Sequence, residues 1–420
     1  MQQHLSLEML ADLLSGEIAE EDLRERVVPH LLARCPTCQG RVEAIRKLQD
    51  RFDHWNESVV VREGQEAPRL LARLLEQPED RRLQLLLADE ELHTWGLAQL
   101  LMRKCRELVH EEAHQALLLG EMAVLVAEQL PERSYDRDWL GDLKARAWAV
   151  LGNARRVAGE LTTAEVAFQR ALALLEALAA TGRPRVRAEV LDLLASLRRE
   201  QGRFEQSLAA LAEAEALYRQ DGDSHLVGRI LLKRAKTLEE LGHLENVLAE
   251  LQQVPELLDP QREPHLPAYV RHNLVCCLAQ MGRFQEARES FEGLADLWPW
   301  PEVIQVRIQS LEAQIAAGLQ EWESAEALFQ QVRGWFVEHD LPFDAALISL
   351  DLGALYAEQG RAAELETLAA EVLPLFHSLR LGREAAASLI LFQKAVEQKS
   401  LTAELLRELR HVVEARQKRR

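Results

Sequence analysis

Residues 141–171 read GDLKARAWAVLGNARRVAGELTTAEVAFQRA, two Ala- and Leu-rich runs that meet at Gly159. A turn residue followed by a hydrophobe and then a small residue returns along the chain as GELTTA, GRFEQS, GHLENV, GRFQEA, QEWESA and GRAAEL. The turn residues Gly159, Gly202, Gly242, Gly282, Gln320 and Gly360 follow one another at intervals of 38 to 43 residues. A period held this closely is the mark of stacked structural repeats.

Side-chain bulk recurs with the same period. Seven residues before each turn stand Gly152, Ala195, Ala235, Val275, Ala313 and Gly353, and five after it Ala164, Ser207, Val247, Ala287, Ala325 and Leu365. Most are small, which lets two antiparallel helices approach toward the short end of the ~8–10 Å interaxial range. Nine after the turn come Phe168, Leu211, Leu251, Phe291 and Phe329, with Ala369 as the exception. The large groups fill the seam between hairpins.

With Trp148, Leu151, Gly152, Gly159, Ala164, Phe168 and Ala171 at the required spacing, residues 141 to 395 resemble tetratricopeptide (TPR) repeats. The resemblance implies an α-solenoid that binds other proteins. The period departs from the usual value of about 34 residues. The extra residues are expected between hairpins, in TGRPR, RQDGDSH, DPQREPHLP, WPWP and EHDLPF, where Pro and Gly break helices. Similar long units occur in bacterial regulatory TPR proteins. Upstream, 91–140 reads as a divergent first hairpin preceded by a helical linker over 56–90, and 396–420 as an amphipathic helix capping the stack.

Composition agrees with helix on helix. Ala, Leu, Glu, Arg and Gln abound, while aromatics make up 5% of the 420 residues. The net charge of -18 argues against nucleic acid, because it repels phosphate backbones. There is no apolar stretch of about 18 residues and no secretory signal pattern, so the expected location is cytoplasmic, with no membrane partner.

Residues 1–55 differ in kind. His4, His30, Cys35 and Cys38 supply two imidazoles and two sulfurs, a set suited to tetrahedral zinc in a closed structural site. The pattern resembles the small zinc-binding anti-sigma module of bacteria, an early His and then His-x3-Cys-x2-Cys. The resemblance implies zinc on these four residues and a sigma factor as partner. Here four residues separate His30 from Cys35, and Pro29 is expected to kink the helix that presents the histidine. Three short helices bury little apolar area, so metal would contribute directly to folding, and oxidation of the cysteines would act as a switch. The alternative is a pair of small buried thiols beside a surface histidine. The chain is therefore predicted to be all-α, a TPR-like α-solenoid of helical hairpins behind a small three-helix zinc-binding-like module.

His110, Glu111 and His114 spell HExxH, which in a zinc metalloprotease lies on one helical face. No third ligand is evident, and the segment falls at a turn, so catalysis is the remote reading. The CxxC lacks the βαβ setting of a thioredoxin-like pair. Cys276 and Cys277 read as buried small hydrophobes, Trp298 and Trp300 as packing under a rigid loop, and RQKRR as a solvated end.

First helices of a TPR stack line its inner groove. Counting back from the turns places Arg146, Asn153, Arg156, Arg199, Arg229, Lys236, His272, Arg307 and Gln314 there. A groove this basic in a chain this acidic would take an acidic peptide or a chain carboxylate. Alternatively these bases pair with neighbours such as Glu189 and Glu239. The function expected is that of a non-catalytic scaffold or regulator. Its partner would be a sigma factor or, in a signalling or defence adaptor, an effector enzyme such as a protease.

Overall fold

A computed structural model of the chain describes Val27 and residues 59–178, 184–378 and 401–417. Among these residues every regular element is helical. The chain divides into two compact units, Met1–Asp223 and Ser224–Arg420.

The turns explain the hairpins. Gly159, Gly202, Gly242, Gly282 and Gly360 all have left-handed backbones, with φ of 69–81°, and Gln320 joins them at 62°. Each is followed by the same pair of bonds, as when Gly159 N–H donates to the Arg156 carbonyl at 2.9 Å and Glu160 N–H to the Arg155 carbonyl at 2.8 Å. This Schellman closure satisfies the last carbonyls of the first helix and starts the second within two residues. Only glycine adopts the left-handed region without steric cost. Gln320→Gly is therefore expected to stabilise the C-terminal unit by about 0.5–1 kcal/mol, seen as a higher thermal midpoint. A lower midpoint would show that the glutamine contributes something its backbone conceals.

In the N-terminal unit, α1 (59–75) and α2 (Glu79–Ala88) precede three hairpins. These are α3 (Trp95–Leu108) with α4 (Ala113–Gln129), α5 (Arg137–Val157) with α6 (Leu161–Glu176), and α7 (Pro184–Glu200) with α8 (Phe204–Asp221). Thr94 caps α3, accepting from Leu97 N–H at 3.2 Å, and Asp136 caps α5 through Asp138 and Trp139. The seam of the second hairpin follows the bulk pattern. Phe168 is fully buried among Ala145, Ala149, Ala164 and Ala171, and a Cβ on Gly152 would lie 3.0 Å from its ring. In the next hairpin the buried Ser207 hydroxyl donates to the Ala195 carbonyl at 2.9 Å, so the small residue is also a satisfied one.

The C-terminal unit holds α9 (Ser224–Glu240), α10 (Leu244–Gln253), α11 (Leu266–Gln280), α12 (Phe284–Phe291), α13 (Glu302–Gly318), α14 (Trp322–Glu338), α15 (Pro342–Glu358) and α16 (Ala362–Ser378). A last helix, α17 (Ala403–Gln417), packs on α15. Its Leu406 and Leu409 are buried in the cluster that contains Ala369, the one position where the large seam residue is missing.

One expectation is corrected. The extra residues of the long period do not all fall between hairpins: α8 runs on through Asp221 and α14 through Glu338. The reason is the cap. Gly222 is left-handed (φ 78°) and closes α8 one turn later than the polar RQD suggests, with Asp223 N–H donating to the Tyr218 carbonyl at 3.2 Å. Conversely α10 and α12 are short and pass into 3-10 turns at Val254–Glu256 and Leu294–Asp296. Trp300 is buried against the second of these, its indole N–H donating to the Leu294 carbonyl at 3.3 Å, while Trp298 is half-buried beside it.

Candidate functional site

Within the N-terminal unit α3 touches α5 and α5 touches α7, whereas the second helices α4, α6 and α8 share no comparable contact. The same holds in the C-terminal unit, where α11 meets α13 and α13 meets α15. First helices therefore form the closer-packed, inner wall of each stack. The wall columns are the positions thirteen, ten, six and three residues before the turn.

In the N-terminal unit the wall is a chain of ion pairs from one first helix to the next. Arg146 of α5 meets Glu189 of α7 at 3.0 Å, and Arg185 also approaches Glu189 at 3.8 Å. Arg156 donates to Asn153 Oδ1 at 3.1 and 2.9 Å and forms an ion pair with Glu200. Arg199 lies 3.8 Å from that same Glu200. The structure brings Arg146, Asn153, Arg156 and Arg199 onto one wall, with carboxylates alternating between them.

In the C-terminal unit Arg229 lies 3.6 Å from Glu263, Lys236 is 2.8 Å from Glu239, and Arg307 is 3.0 Å from Asp344. Gln314 donates to Asp351 at 3.0 Å, and Arg410 of α17 reaches the same carboxylate at 2.7 Å. Glu263 also meets the buried His225 at 3.1 Å, whose Nδ1 accepts the Asp259 N–H at 3.1 Å. That arrangement leaves the ring proton on Nε2.

His272 sits beside Cys276 and Trp300, its basicity lowered by burial despite a hydrogen bond to Asn273 that opposes the shift. The Cys276 sulfur is 3.9 Å from Nδ1 and 3.8 Å from Nε2. Near-equal distances keep the sulfur out of line with either lone pair, so the two are not aligned as a nucleophile with its base. Burial raises the neighbouring Cys277 thiol to about 11 and Cys105 to about 12, which keeps both as inert hydrophobes.

The HExxH reading fails on geometry. α3 ends at Leu108 and α4 begins at Ala113, so His110 and Glu111 lie in the turn while His114 is on the helix, 3.3 Å from Glu79. The three never share a helical face, which the metalloprotease motif demands. Among the described residues no group of three or more His, Cys, Asp or Glu is placed to hold a metal ion. His4, His30, Cys35 and Cys38 lie outside the described residues. No helix among the described residues is long and apolar enough to cross a membrane.

Two wall residues escape a count from the turns. Arg103 and Arg106 of α3 line a cavity of about 380 Å³ together with Arg146 and Glu189. The turn after α3 contains no left-handed residue, so the columns fall on different positions from those of the later hairpins. The basic run RKCRE was the available signal.

No protein-family model matches the sequence, and no curated protein does. Solved structures do. The apo form of RapI aligns with a TM-score of 0.55 at 15% identity, covering 86% of this chain and 97% of that one. The apo quorum sensor NprR from B. thuringiensis aligns at 0.51 and 13% identity over 85% and 99% of the two chains. A Rap protein complexed with competence and sporulation factor aligns at 0.51 and 12% identity over 76% and 87%. At these identities the likeness speaks for architecture alone: the chain folds as a TPR-like α-solenoid of helical hairpins.

Proposed function

We propose that the chain is a non-catalytic protein-binding scaffold that takes an acidic peptide, or the carboxylate of a partner chain, against the first-helix wall. The observation that carries this reading is the alternation of half-buried bases and acids along that wall, from Arg146–Glu189 to Arg156–Glu200. On the wall of the N-terminal unit a peptide carboxylate would exchange with Glu200 or Glu189 while Arg146, Asn153, Arg156 and Arg199 supply donors; on the wall of the C-terminal unit the donors would be Arg229, Lys236, His272, Arg307 and Gln314. The Rap neighbour complexed with competence and sporulation factor supports a peptide or protein as the class of partner.

The test reverses charge at Arg156 and Arg199 in the N-terminal unit and Lys236 in the C-terminal unit. Each new carboxylate would then sit beside an existing one, Glu200 or Glu239. Capture of the native partner is expected to be abolished, with a lowered thermal midpoint but an unchanged far-UV circular dichroism spectrum, and undiminished capture would remove the wall as the binding surface.

The N-terminal module is proposed to hold structural zinc through His4, His30, Cys35 and Cys38 and to make the scaffold a transcription regulator that acts on a sigma factor. The support is the donor set in the sequence, a CxxC pair with two imidazoles. One equivalent of zinc is expected by elemental analysis, lost in Cys35→Ser/Cys38→Ser and retained in His110→Ala/His114→Ala. Zinc retained in the first variant would refute the assignment.

A further inference from the structure

The opening of α2 leaves a space that no side chain fills. Its first four residues, Glu79, Asp80, Arg81 and Arg82, are all charged, and the one residue α2 buries is Leu86 toward its far end. Beneath that charged turn the end of α1, the end of α3 and the start of α4 present apolar side chains. Leu71, Leu75, Leu108, Leu118, Leu119 and Met122 line a cavity of about 510 Å³ there. Leu71, Leu119 and Met122 are buried, whereas Leu75 is 42% exposed, so the cavity has an apolar floor and an open mouth.

Side chains that border empty space forfeit the dispersion contacts of a filled interior. An apolar cavity of ~150 Å³ already takes benzene, and pockets of ~300–1,000 Å³ are the size of small-molecule sites. An alkyl or aryl group entering this one would gain about fourfold in affinity for each methylene it buries.

The rim selects the head group. Both cations at the mouth are engaged: Arg82 donates to the Gln77 carbonyl at 3.0 Å and the Leu75 carbonyl at 3.2 Å, and Lys104 holds Glu107 at 2.7 Å. The acids are more available. Glu79 meets His114 at 3.3 Å with both side chains more than half exposed, and the exposed Glu112 carboxylate makes no hydrogen bond or ion pair among the described residues. Water solvates these carboxylates, so they do not demand a ligand; they bias the mouth toward a positive head. The overall charge of -18 acts in the same direction, drawing cations in and repelling anions.

We propose that the cavity beneath α2 binds a small organic cation, an aliphatic or aromatic body that carries one amine. The body lies among the leucines and Met122, and the ammonium stays at the mouth beside Glu112 and Glu79. The site shares no residue with the first-helix wall and does not depend on what that wall binds.

The test titrates the full-length chain, labelled with methyl-13C methionine, with hexylamine, octylamine, octanol and octanoate. The reporter is the Met122 methyl signal, identified by its loss in Met122→Leu. Octylamine is expected to shift that signal and to bind about tenfold tighter than hexylamine, as two more buried methylenes require. It is also expected to bind about threefold or more tighter than octanol, and octanoate more weakly still. Ala113→Phe puts a ring into the cavity from the start of α4 and is expected to abolish binding without lowering the thermal midpoint. Leu75→Ser, at an exposed position, is expected to weaken binding by about threefold or more, and it carries the test if Ala113→Phe fails to fold. Glu79→Gln/Glu112→Gln is expected to bring octylamine to the affinity of octanol. A Met122 signal that no probe moves, or octylamine binding undiminished in both Ala113→Phe and Leu75→Ser, overturns the site. Octanol or octanoate binding as tightly as octylamine overturns the assignment to a cation. Binding lost in Arg156→Glu/Arg199→Glu would place the probe on the wall and overturn the proposal as well.

Discussion

Replacing Phe168 with alanine is expected to destabilise the N-terminal unit by about 3–5 kcal/mol. Phe168 is fully buried, and its surroundings cannot collapse into the space it leaves. Gly152 below it has no side chain to offer, and Ala145, Ala149, Ala164 and Ala171 around it are already as short as a side chain with a Cβ can be. The lost transfer energy of the ring and the residual cavity therefore add, rather than being offset by repacking. Because each hairpin of a stack is held by its neighbours, the damage is expected to spread along the unit. Urea unfolding followed by far-UV circular dichroism reads the effect as a lower midpoint, with part of the helical signal lost in an earlier transition. A shift of less than about 1 kcal/mol would mean that the seam can close, and that the bulk pattern is not what holds the hairpins.

Gly96→Ala is expected to detach α1 from the first hairpin. The added Cβ would lie 2.2 Å from the Glu63 carbonyl oxygen and 2.7 Å from the Gly64 nitrogen. Both are main-chain atoms, so no rotamer change relieves the clash and α1 must lift. Lifting it also breaks the network that fixes the start of α3: Glu63 accepts from Trp95 N–H at 2.7 Å and from the Tyr135 hydroxyl at 2.8 Å. Burial, followed by that bond to Glu63, pushes the Tyr135 phenol above its ordinary range, so the hydroxyl stays a donor throughout the physiological range. Overpacking and a lost cap together are worth about 2–4 kcal/mol. Limited trypsin digestion at Arg62 and Arg69 is expected to speed up sharply in Gly96→Ala. In Gly64→Ala, where nothing stands in the way of a Cβ, digestion is expected to change little. Equal resistance in the two variants would contradict the close approach.

The hairpins were legible because a left-handed turn leaves a chemical trace. Five of the six turn residues are glycines that the backbone requires, and small residues at fixed offsets reveal where helices touch. Even the exception was readable, since Gln320 keeps its neighbours' spacing although it lacks their freedom. The wall residues followed by counting. Their neutralisation was legible in part: Glu189 and Glu239, the neighbours expected to compete, do pair with Arg146 and Lys236, whereas the partner of Arg307 stands 37 positions away, roughly one period, at a place where several acids compete. Arg103 and Arg106 were missed for a different reason. The turn at 109–112 has no left-handed residue to count from, and the cavity they line is completed by α1, which carries no repeat signal. Helix lengths were misjudged where a polar run such as RQD stays helical until a glycine closes it.

The most direct test of a binding wall is site-specific photo-crosslinking in the native cell, with p-benzoylphenylalanine placed on one face at a time. Ser196 of α7 occupies the same column as Asn153 and is half-buried on the first-helix wall, while Val166 of α6 is 57% exposed on a second helix. Irradiation is expected to trap a partner polypeptide through position 196 and none through position 166. A partner trapped at 166 and not at 196 would place recognition on the other face and contradict the assignment of function to the first helices.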